Sequence, residues 1–423
     1  AFEDSTVARI LELVENASSK KAKVENFITR FAKYYTPVVT IGAVILAILP
    51  PLILGGGWAD WIQRACIFLV ISCPCALVIS VPLSFFCGIG CASKNGILIK
   101  GANYMEELSK IDTMIFDKTG TLTKAQPTVA EVVSFSETKS PDELLRIAAC
   151  LEEHFPHSMA KAVVDAAREK YLDHEEMHSK VEYIVAHGIS TTINGKKAII
   201  GSYHFVFEDE NSIIPEGMEE KFRHLPEEYS HLYLALEGVL AAVICIEDPL
   251  RPEAAEIIRQ LKKTGLKKIV MMTGDSERTA KAIAKKVGVD EYYAEVLPED
   301  KARFVESEKA VGRKVIMVGD GINDSPALSA SDAGIAVSDG AEIAREIADI
   351  TVSADNLYEL VTLKELSNKL MSRINRNYRK IVTFNTGLII LGVMGVIQPT
   401  TSALLHNSST LLISMDSMKR LLD

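Results

Sequence analysis

The chain has no excess of basic charge. Its 423 residues carry 46 Lys and Arg against 56 Asp and Glu, a formal net charge of -10. With an isoelectric point near 5.5, it lacks the cationic footprint of a nucleic-acid binder. No nucleic acid partner is expected, and any phosphate binding must be local. A disulfide framework is missing too: the seven cysteines are an odd count, and five of them (Cys66, Cys73, Cys75, Cys87, Cys91) fall in one apolar stretch. There is no internal repeat, low-complexity tract, signal peptide or initial Met, so the chain is expected to begin mid-protein. From Ala65 to Ala92 there is no charged residue at all.

Hydrophobic residues make up 48% and charged residues 24%, too apolar for disorder and too charged for a wholly membranous chain. The length suggests about three folding units. A mean hydropathy of +0.15 beside so many charges means that apolar residues are concentrated in segments. Ala65–Ala92, bracketed by Arg64 and Lys94, exceeds a hydrocarbon core of ~30 Å at 1.5 Å per residue and predicts a membrane helix. Val38 to Leu54 is a second run, ended by Pro50-Pro51 and Gly55-Gly56-Gly57, so the two form a hairpin. Ile381 to Met415 is too long for one span and divides at Gln398-Pro399. Four transmembrane helices in a lipid bilayer are thus expected. Lys20, Lys21 and Lys23 before the first hairpin, and the basic stretch Lys364 to Lys380 before the last, put the intervening chain in the cytoplasm.

That intervening chain, from about Lys94 to Lys380, is polar. Thr113-Met114-Ile115-Phe116, Lys268-Ile269-Val270-Met271 and Lys314-Val315-Ile316-Met317-Val318 are short apolar runs, each leading into a Gly- or Asp-containing loop. They predict a parallel sheet. Helices over Ala254–Lys263 and Ser276–Val287 place a site at the strand C-termini of an open α/β sheet. Between them, Val181–Val185, Thr191–Ile193, Ala198–Gly201 and Leu232–Leu236 predict antiparallel strands with helices, an α+β domain inserted into the first.

Asp117-Lys118-Thr119-Gly120-Thr121-Leu122-Thr123 directly follows a predicted strand. A carboxylate there can attack a phosphoryl group if Lys and Mg²⁺ neutralise its equatorial oxygens. Asp117 is the candidate nucleophile. Gly319-Asp320-Gly321-Ile322-Asn323-Asp324 offers oxygen ligands to Mg²⁺, Asp320 first, with Asn323 and Asp324 holding the cation's shell. Thr273-Gly274-Asp275 has a hydroxyl and amides suited to a phosphoryl oxygen, and Lys301 can reach it as a point charge. Inside the charge-free run, Cys73-Pro74-Cys75 sets two soft thiolates around a proline that opens the helix backbone. A transported zinc, cadmium or cuprous ion suits such ligands.

These motifs, in this order, resemble those of the P-type ATPases of the haloacid dehalogenase superfamily, and Cys-Pro-Cys resembles the heavy-metal-transporting group. The resemblance implies ATP-driven ion transport through an aspartyl-phosphate on Asp117, with Lys118, Thr119, Gly274 and Asp275 around it and Mg²⁺ on Asp117, Thr119 and Asp320. Asp248-Pro249-Leu250-Arg251 matches the family's return into the phosphorylation domain. ATP is implied at Glu152, His157, Gly188 and Gly201, although Ser158 and Ser190 replace a Pro and a Gly of the pattern. The implied domains are 1–35 (end of an actuator domain and linker), 36–93 (membrane hairpin), 94–126 and 244–365 (phosphorylation domain), 127–243 (nucleotide-binding domain) and 366–423 (last membrane hairpin).

Metal choice is less defined. Phe384-Asn385-Thr386 and His406-Asn407-Ser408-Ser409-Thr410 match neither the cuprous nor the zinc/cadmium pattern. His406, with Ser409 or Thr410, alongside two thiolates would suit a divalent transition metal; a cuprous ion is the alternative. No Thr-Gly-Glu occurs in the chain, so the actuator loop and earlier spans are expected in a missing N-terminal part, and turnover by this chain alone is not expected. The cell membrane is the expected location. A membrane-tethered phosphatase is the competing reading, but Thr119 stands where such enzymes carry a second Asp.

Overall fold

The computed structural model describes residues 27–54, 57–153, 158–172, 182–184, 188–193, 195–227, 229–320, 324–337 and 346–422. Most of the expected actuator exit, with His157 and Asn323, lies outside them. Three helices open the chain: α1 (Phe27–Leu54), α2 (Trp58–Ile71) and α3 (Cys75–Lys94). Then come β1 (Leu98–Ile99), α4 (Ala102–Lys110), β2 (Thr113–Asp117), β3 (Thr128–Ser134), α5 (Pro141–Glu152) and α6 (Ser158–Glu169). The strands β4 (Glu182–Ile184), β5 (Gly188–Ile193) and β6 (Lys196–Gly201), helix α7 (Glu219–Arg223), and strands β7 (Ser230–Leu236) and β8 (Val239–Glu247) follow. An alternation of α8 (Ala254–Lys263), β9 (Lys268–Met272), α9 (Glu277–Val287), β10 (Glu291–Tyr293), α10 (Pro298–Ala310), β11 (Val315–Gly319), α11 (Ser325–Ala330), β12 (Ala333–Val337) and β13 (Ile350–Val352) leads to the long helices α12 (Tyr358–Val393) and α13 (Pro399–Ser417).

The chain divides into two units: one of the residues up to Asp112 with Val305–Ile316 and those from Ser325 on, the other of Thr113–Phe304 and Met317–Asp324. In the first, α2 and α3 each pack on α12 and α13, which pack on each other, and α1 packs on α2. A stripe of small buried residues at every fourth position of α3 (Ala76, Ser80, Ser84, Gly88, Ala92) lets its neighbours come close, as in membrane bundles. A Cβ on Gly88 would lie 3.0 Å from Leu370, and one on Gly392 of α12 only 2.6 Å from Ile67 of α2. Large apolar side chains face outward instead, among them Val38, Ile41, Ile53, Leu404 and Leu411, a surface suited to lipid rather than water. The same unit carries β12 parallel to β13 and β1 antiparallel to β13. The start of α12 docks on α4, where the buried Lys364 ammonium donates to the carbonyl of Leu108 at 2.7 Å. Burial pushes that ammonium down to about 8.

Among the described residues, the four expected membrane helices are met by length and composition in two segments, Tyr34–Ile53 and Trp58–Lys94. The second is not the single helix expected over Ala65–Ala92, because it is interrupted between Ile71 and Cys75: Pro74 has no amide hydrogen to continue the ladder. The last pair is helical and divides near Gln398 as expected. Its apolar character is weaker, since the uncharged part of α12 starts only at Ile381 and α13 is rich in Ser and Thr.

In the second unit, β2, β9 and β10 run parallel, with the end of β11 on the other side of β2. The strands expected from Thr113, Lys268 and Lys314 are all present, the third beginning at Val315. Ser276 caps α9 by accepting from the Thr279 amide, and Gly288 closes it at φ +83°, the left-handed turn that glycine tolerates. The remainder is a six-stranded sheet in the order β3-β8-β7-β6-β5-β4, antiparallel throughout. Both faces of that sheet are covered, so its central strands read as continuous apolar runs. Ala198, Ile200, Leu232, Leu234, Ala242 and Ile244 join a core with α5 and α6, while Ile199, Tyr233, Val243 and Cys245 pack against Phe135, Phe205 and Leu225.

Overpacking the helix contact at Gly392 should be costly. Gly392→Leu is expected to destabilise the detergent-solubilised protein by about 1–3 kcal/mol, read as a lower unfolding temperature. Gly387→Leu, where a Cβ meets nothing within 4 Å, should leave it nearly unchanged; equal losses in both would refute the close packing.

Candidate functional site

Strand β2 is buried along its whole length, so its last residue, Asp117, sits at a strand end with 7% exposure. The next turn is tight: Gly120 adopts φ +74°, and its amide donates to the Thr123 hydroxyl at 3.1 Å. A Cβ there would come 3.1 Å from the Cβ of Asp320, so glycine serves both the backbone angle and the approach of the neighbouring loop.

Around Asp117 the charges alternate. Lys301, buried on α10, donates from one ammonium to Asp117 Oδ1 at 2.5 Å and to Asp324 Oδ1 at 2.7 Å. Burial opposes its charge, but Asp324 and Asp117 hold it protonated and raise its pKa. Burial first, then the charge of Asp324, pushes the Asp117 carboxyl up to about 7 despite Lys301, and Asp320 adds to the rise. Lys118 points the other way, to Asp275 Oδ2 at 2.6 Å and Asp248 Oδ2 at 3.8 Å. Asp275 is fixed by the hydroxyls of Thr273 at 2.9 Å and Ser230 at 3.0 Å, while the neighbouring Gly274 is exposed. Thr119 is half-buried in the turn.

Strand ends β2, β9 and β11 therefore converge Asp117, Thr273 and Asp320 in one unit, with Lys118, Asp275, Lys301 and Asp324 beside them. Two residues of the Asp248-to-Arg251 segment take structural parts that sequence reasoning did not assign. Asp248 accepts from the Thr123 hydroxyl at 2.6 Å; burial raises its pKa against that bond and Lys118. The Arg251 guanidinium donates to the carbonyls of Thr121 and Thr123 at 3.0 and 3.1 Å, clamping the turn after Asp117. The motif itself was the available signal. Ser230 carried none.

Magnesium, which the resemblance implies, fits this donor set. The donors are hard oxygens, Asp324 Oδ2 is buried without a partner among the described residues, and the carboxylates of Asp117, Asp320 and Asp324 stand against the one ammonium of Lys301. Asp117, Thr119 and Asp320 would hold the ion.

In the other unit, Cys73, Cys75 and His406 bring their ligand atoms within 4.8 Å of one another. The break between α2 and α3 makes this possible, and the hydroxyl of Tyr35 donates to the freed carbonyl of Ser72 at 2.6 Å. His406 is 3% exposed, and neither ring nitrogen has a partner among the described residues. Ser409 and Thr410, the other expected donors, turn their hydroxyl protons back to the His406 carbonyl. The expected thiolate pair needs correction: with their Cα atoms 5.4 Å apart, Cys73 and Cys75 are joined as a disulfide. A disulfide carries no thiolate, so reduction must precede ligation.

Of the expected nucleotide residues, Glu152 ends α5 with 8% exposure, and burial alone pushes its carboxyl up to about 7. Gly188 and Gly201 are direct cross-strand partners. A Cβ on Gly188 would lie 2.4 Å from the Phe205 ring, so packing requires glycine there whether or not a nucleotide approaches. His157 lies outside the described residues.

A family model for haloacid dehalogenase-like hydrolases matches residues 111–332. The chain is 41% identical over 400 residues to the cadmium, zinc and cobalt-transporting ATPase of Bacillus subtilis (strain 168), covering 93% of this chain and 55% of that protein. It is 39% identical over 404 residues to the zinc-transporting ATPase of Synechocystis sp., covering 93% and 54%. Among solved structures, a zinc-transporting PIB-type ATPase in the E2.Pi state superposes with a TM-score of 0.76 at 31% identity, over 99% of this chain and 68% of that one. The chain thus spans about half the length of the curated relatives it matches.

Two outcomes test the geometry. Lys301→Met leaves Asp117 and Asp324 facing each other, and loss of one partner from a buried ion pair costs about 3–5 kcal/mol. Without magnesium the variant should unfold at a markedly lower temperature, and added Mg²⁺ should restore more of the loss than it adds to the parent; no differential rescue would contradict the arrangement. For Glu152 the sign runs the other way. Its folded pKa lies above the unfolded 4.5, so the cost of burying its charge is absent at low pH and grows as pH rises from about 4.5 to about 7. Glu152→Gln should therefore raise stability at pH 8, by on the order of 2–3 kcal/mol, and leave it nearly unchanged at pH 4. Thermal unfolding at the two pH values checks this.

Proposed function

Because the chain belongs to the haloacid dehalogenase-like hydrolases and, within them, to the heavy-metal-transporting P-type ATPases, we propose that it is the catalytic and C-terminal membrane part of an ATP-driven efflux pump for a divalent transition metal. The observation that carries this reading is the buried Asp117 carboxylate held by Lys301 at 2.5 Å at the end of a parallel strand. In its ionised form Asp117 attacks the terminal phosphorus of ATP. The bond from that phosphorus to the bridging oxygen breaks, ADP leaves with the electron pair, and an aspartyl-phosphate remains. Lys301 already donates to the attacking carboxylate; its second carboxylate, Asp324, keeps it charged and aimed. Lys118, held by Asp275, and the Thr273 hydroxyl are assigned to the equatorial oxygens, with Asp275 orienting both donors. Magnesium, when bound, neutralises phosphate charge. Thr119 stands where a hydrolytic enzyme of this superfamily would carry its acid/base carboxylate, which favours a phosphoenzyme that persists long enough to drive transport.

The cargo site is assigned to reduced Cys73 and Cys75 with His406. Two thiolates and one imidazole are borderline-soft ligands that suit zinc, cadmium or cobalt, the ions in the name of the Bacillus relative. Residues 127–243 are read as the nucleotide-binding domain, with Glu152, His157, Gly188 and Gly201 as its pocket, and 94–126 with 244–365 as the phosphorylation domain. Residues 36–93 and 366–423 are read as two membrane hairpins, with the soluble domains on the cytoplasmic side of the cell membrane. An actuator loop and earlier spans, in a preceding part of the pump, complete the cycle.

Incubation with γ-labelled ATP and Mg²⁺ should label the parent on an acid-stable, hydroxylamine-sensitive acyl phosphate, and Asp117→Asn should remove at least ~99% of the label. Zinc, cadmium, cobalt, manganese and cuprous ions are compared under reducing conditions. Labelling of the parent should respond to divalent ions, and that response should vanish in Cys73→Ala and His406→Ala. Undiminished labelling of Asp117→Asn would end the catalytic reading; a response to cuprous ion alone would end the choice of cargo.

A further inference from the structure

A groove in the unit of helices is lined by none of the residues that ligate in the sites above, and shares only Ser409 with their surroundings. It has a volume of about 990 Å³ and lies between α12 and α13. Its mouth is cationic: Arg376, Arg379 and Lys380 line it. Among the described residues the acid facing them is Asp416, which lies 3.7 Å from Arg376 and 3.6 Å from Lys380 and is shared with Lys419. Its wall is apolar and open, with Phe384, Leu405 and Leu412 from 40% to 66% exposed. From Arg376 to Phe384 the groove descends about 12 Å along α12 at 1.5 Å per residue, the change from a phosphodiester to the first turns of an acyl chain.

We propose that this groove binds an anionic glycerophospholipid of the cytoplasmic leaflet, its phosphodiester held by Arg376, Arg379 and Lys380 and an acyl chain lying along Phe384, Leu405 and Leu412. The inference rests on the reading that these helices sit in a bilayer. Charge chooses the occupant. Another protein helix filling the groove would have to supply carboxylates at the mouth of an apolar segment, whereas a lipid brings its negative charge at that depth already joined to hydrocarbon. Basic clusters beside cytoplasmic helix ends attract acidic headgroups for the same reason.

The test uses the protein extracted from membranes, exchanged into detergent with equal phosphatidylglycerol and phosphatidylcholine, and weighed by native mass spectrometry. The parent should retain at least one phosphatidylglycerol, enriched on the order of tenfold over phosphatidylcholine. The triple variant Arg376→Gln/Arg379→Gln/Lys380→Gln should fall to near parity. Leu412→Trp, which keeps every cation and fills the groove, should lose retention as well. Equal retention of the two lipids by the parent, unchanged enrichment in the triple variant, or no bound lipid because another part of the protein covers the groove would each overturn the proposal. Recovery of the protein without detergent would overturn the membrane reading together with it, and so separates the two failures.

Discussion

One ammonium group shared by two buried carboxylates is the constraint on which the catalytic half of the molecule depends. Asp117, Asp324 and Asp320 crowd a site from which water is largely excluded, and without Lys301 between the first two that crowding would be strongly unfavourable. Lys118 performs the matching task for Asp248 and Asp275. The result is a set of charges fixed before any substrate arrives. Such preorganisation is what stabilises a transferring phosphoryl group, because the donors need not reorient during the reaction. Three carboxylates stand against the one ammonium of Lys301, and such a surplus of negative charge is the condition under which a divalent cation gains most by binding.

The same logic, with different chemistry, governs the interrupted helix. A backbone carbonyl freed within an apolar bundle is costly unless something donates to it. Here Tyr35 donates to Ser72, so the break is a stable feature of the fold and not a defect. It turns Cys73 and Cys75 toward the buried His406, whose two nitrogens, without partners among the described residues, are themselves expensive. Burial of unsatisfied donors and acceptors is tolerated where a ligand supplies what the chain withholds.

Much of this was legible in the sequence. Three apolar runs ending in Asp- or Gly-containing loops gave the parallel strands, because a strand buried on both faces must be apolar throughout. The order of the motifs gave the convergence of Asp117, Thr273 and Asp320. Less legible was anything set by the third dimension. Ser230 sits on a strand of the antiparallel sheet with no motif around it, yet it fixes Asp275. Gly188 resembles a nucleotide-loop glycine but has a packing duty against Phe205 that no spacing reveals. The final helices escaped a simple hydropathy rule because their polar residues line helix contacts, as Asn377 does when it donates to Ser417 at 3.1 Å.

The places where the chain breaks local rules coincide with the candidate sites, while the places that obey them hold the scaffold together. The stripe of Ala76, Ser80, Ser84, Gly88 and Ala92 is what close helix packing requires, and nothing in it is strained or uncompensated. Asp117 with its neighbouring acids, the Cys73-Pro74-Cys75 break and the buried Glu152 each carry a cost that a fold selected for stability alone would remove. A carboxyl pushed up by burial, as at Glu152, lowers stability at neutral pH. Retaining it makes physical sense if the charge or its proton is used to recognise something. Local departures of this kind, each traced to named atoms, separate a functional residue from a merely buried one.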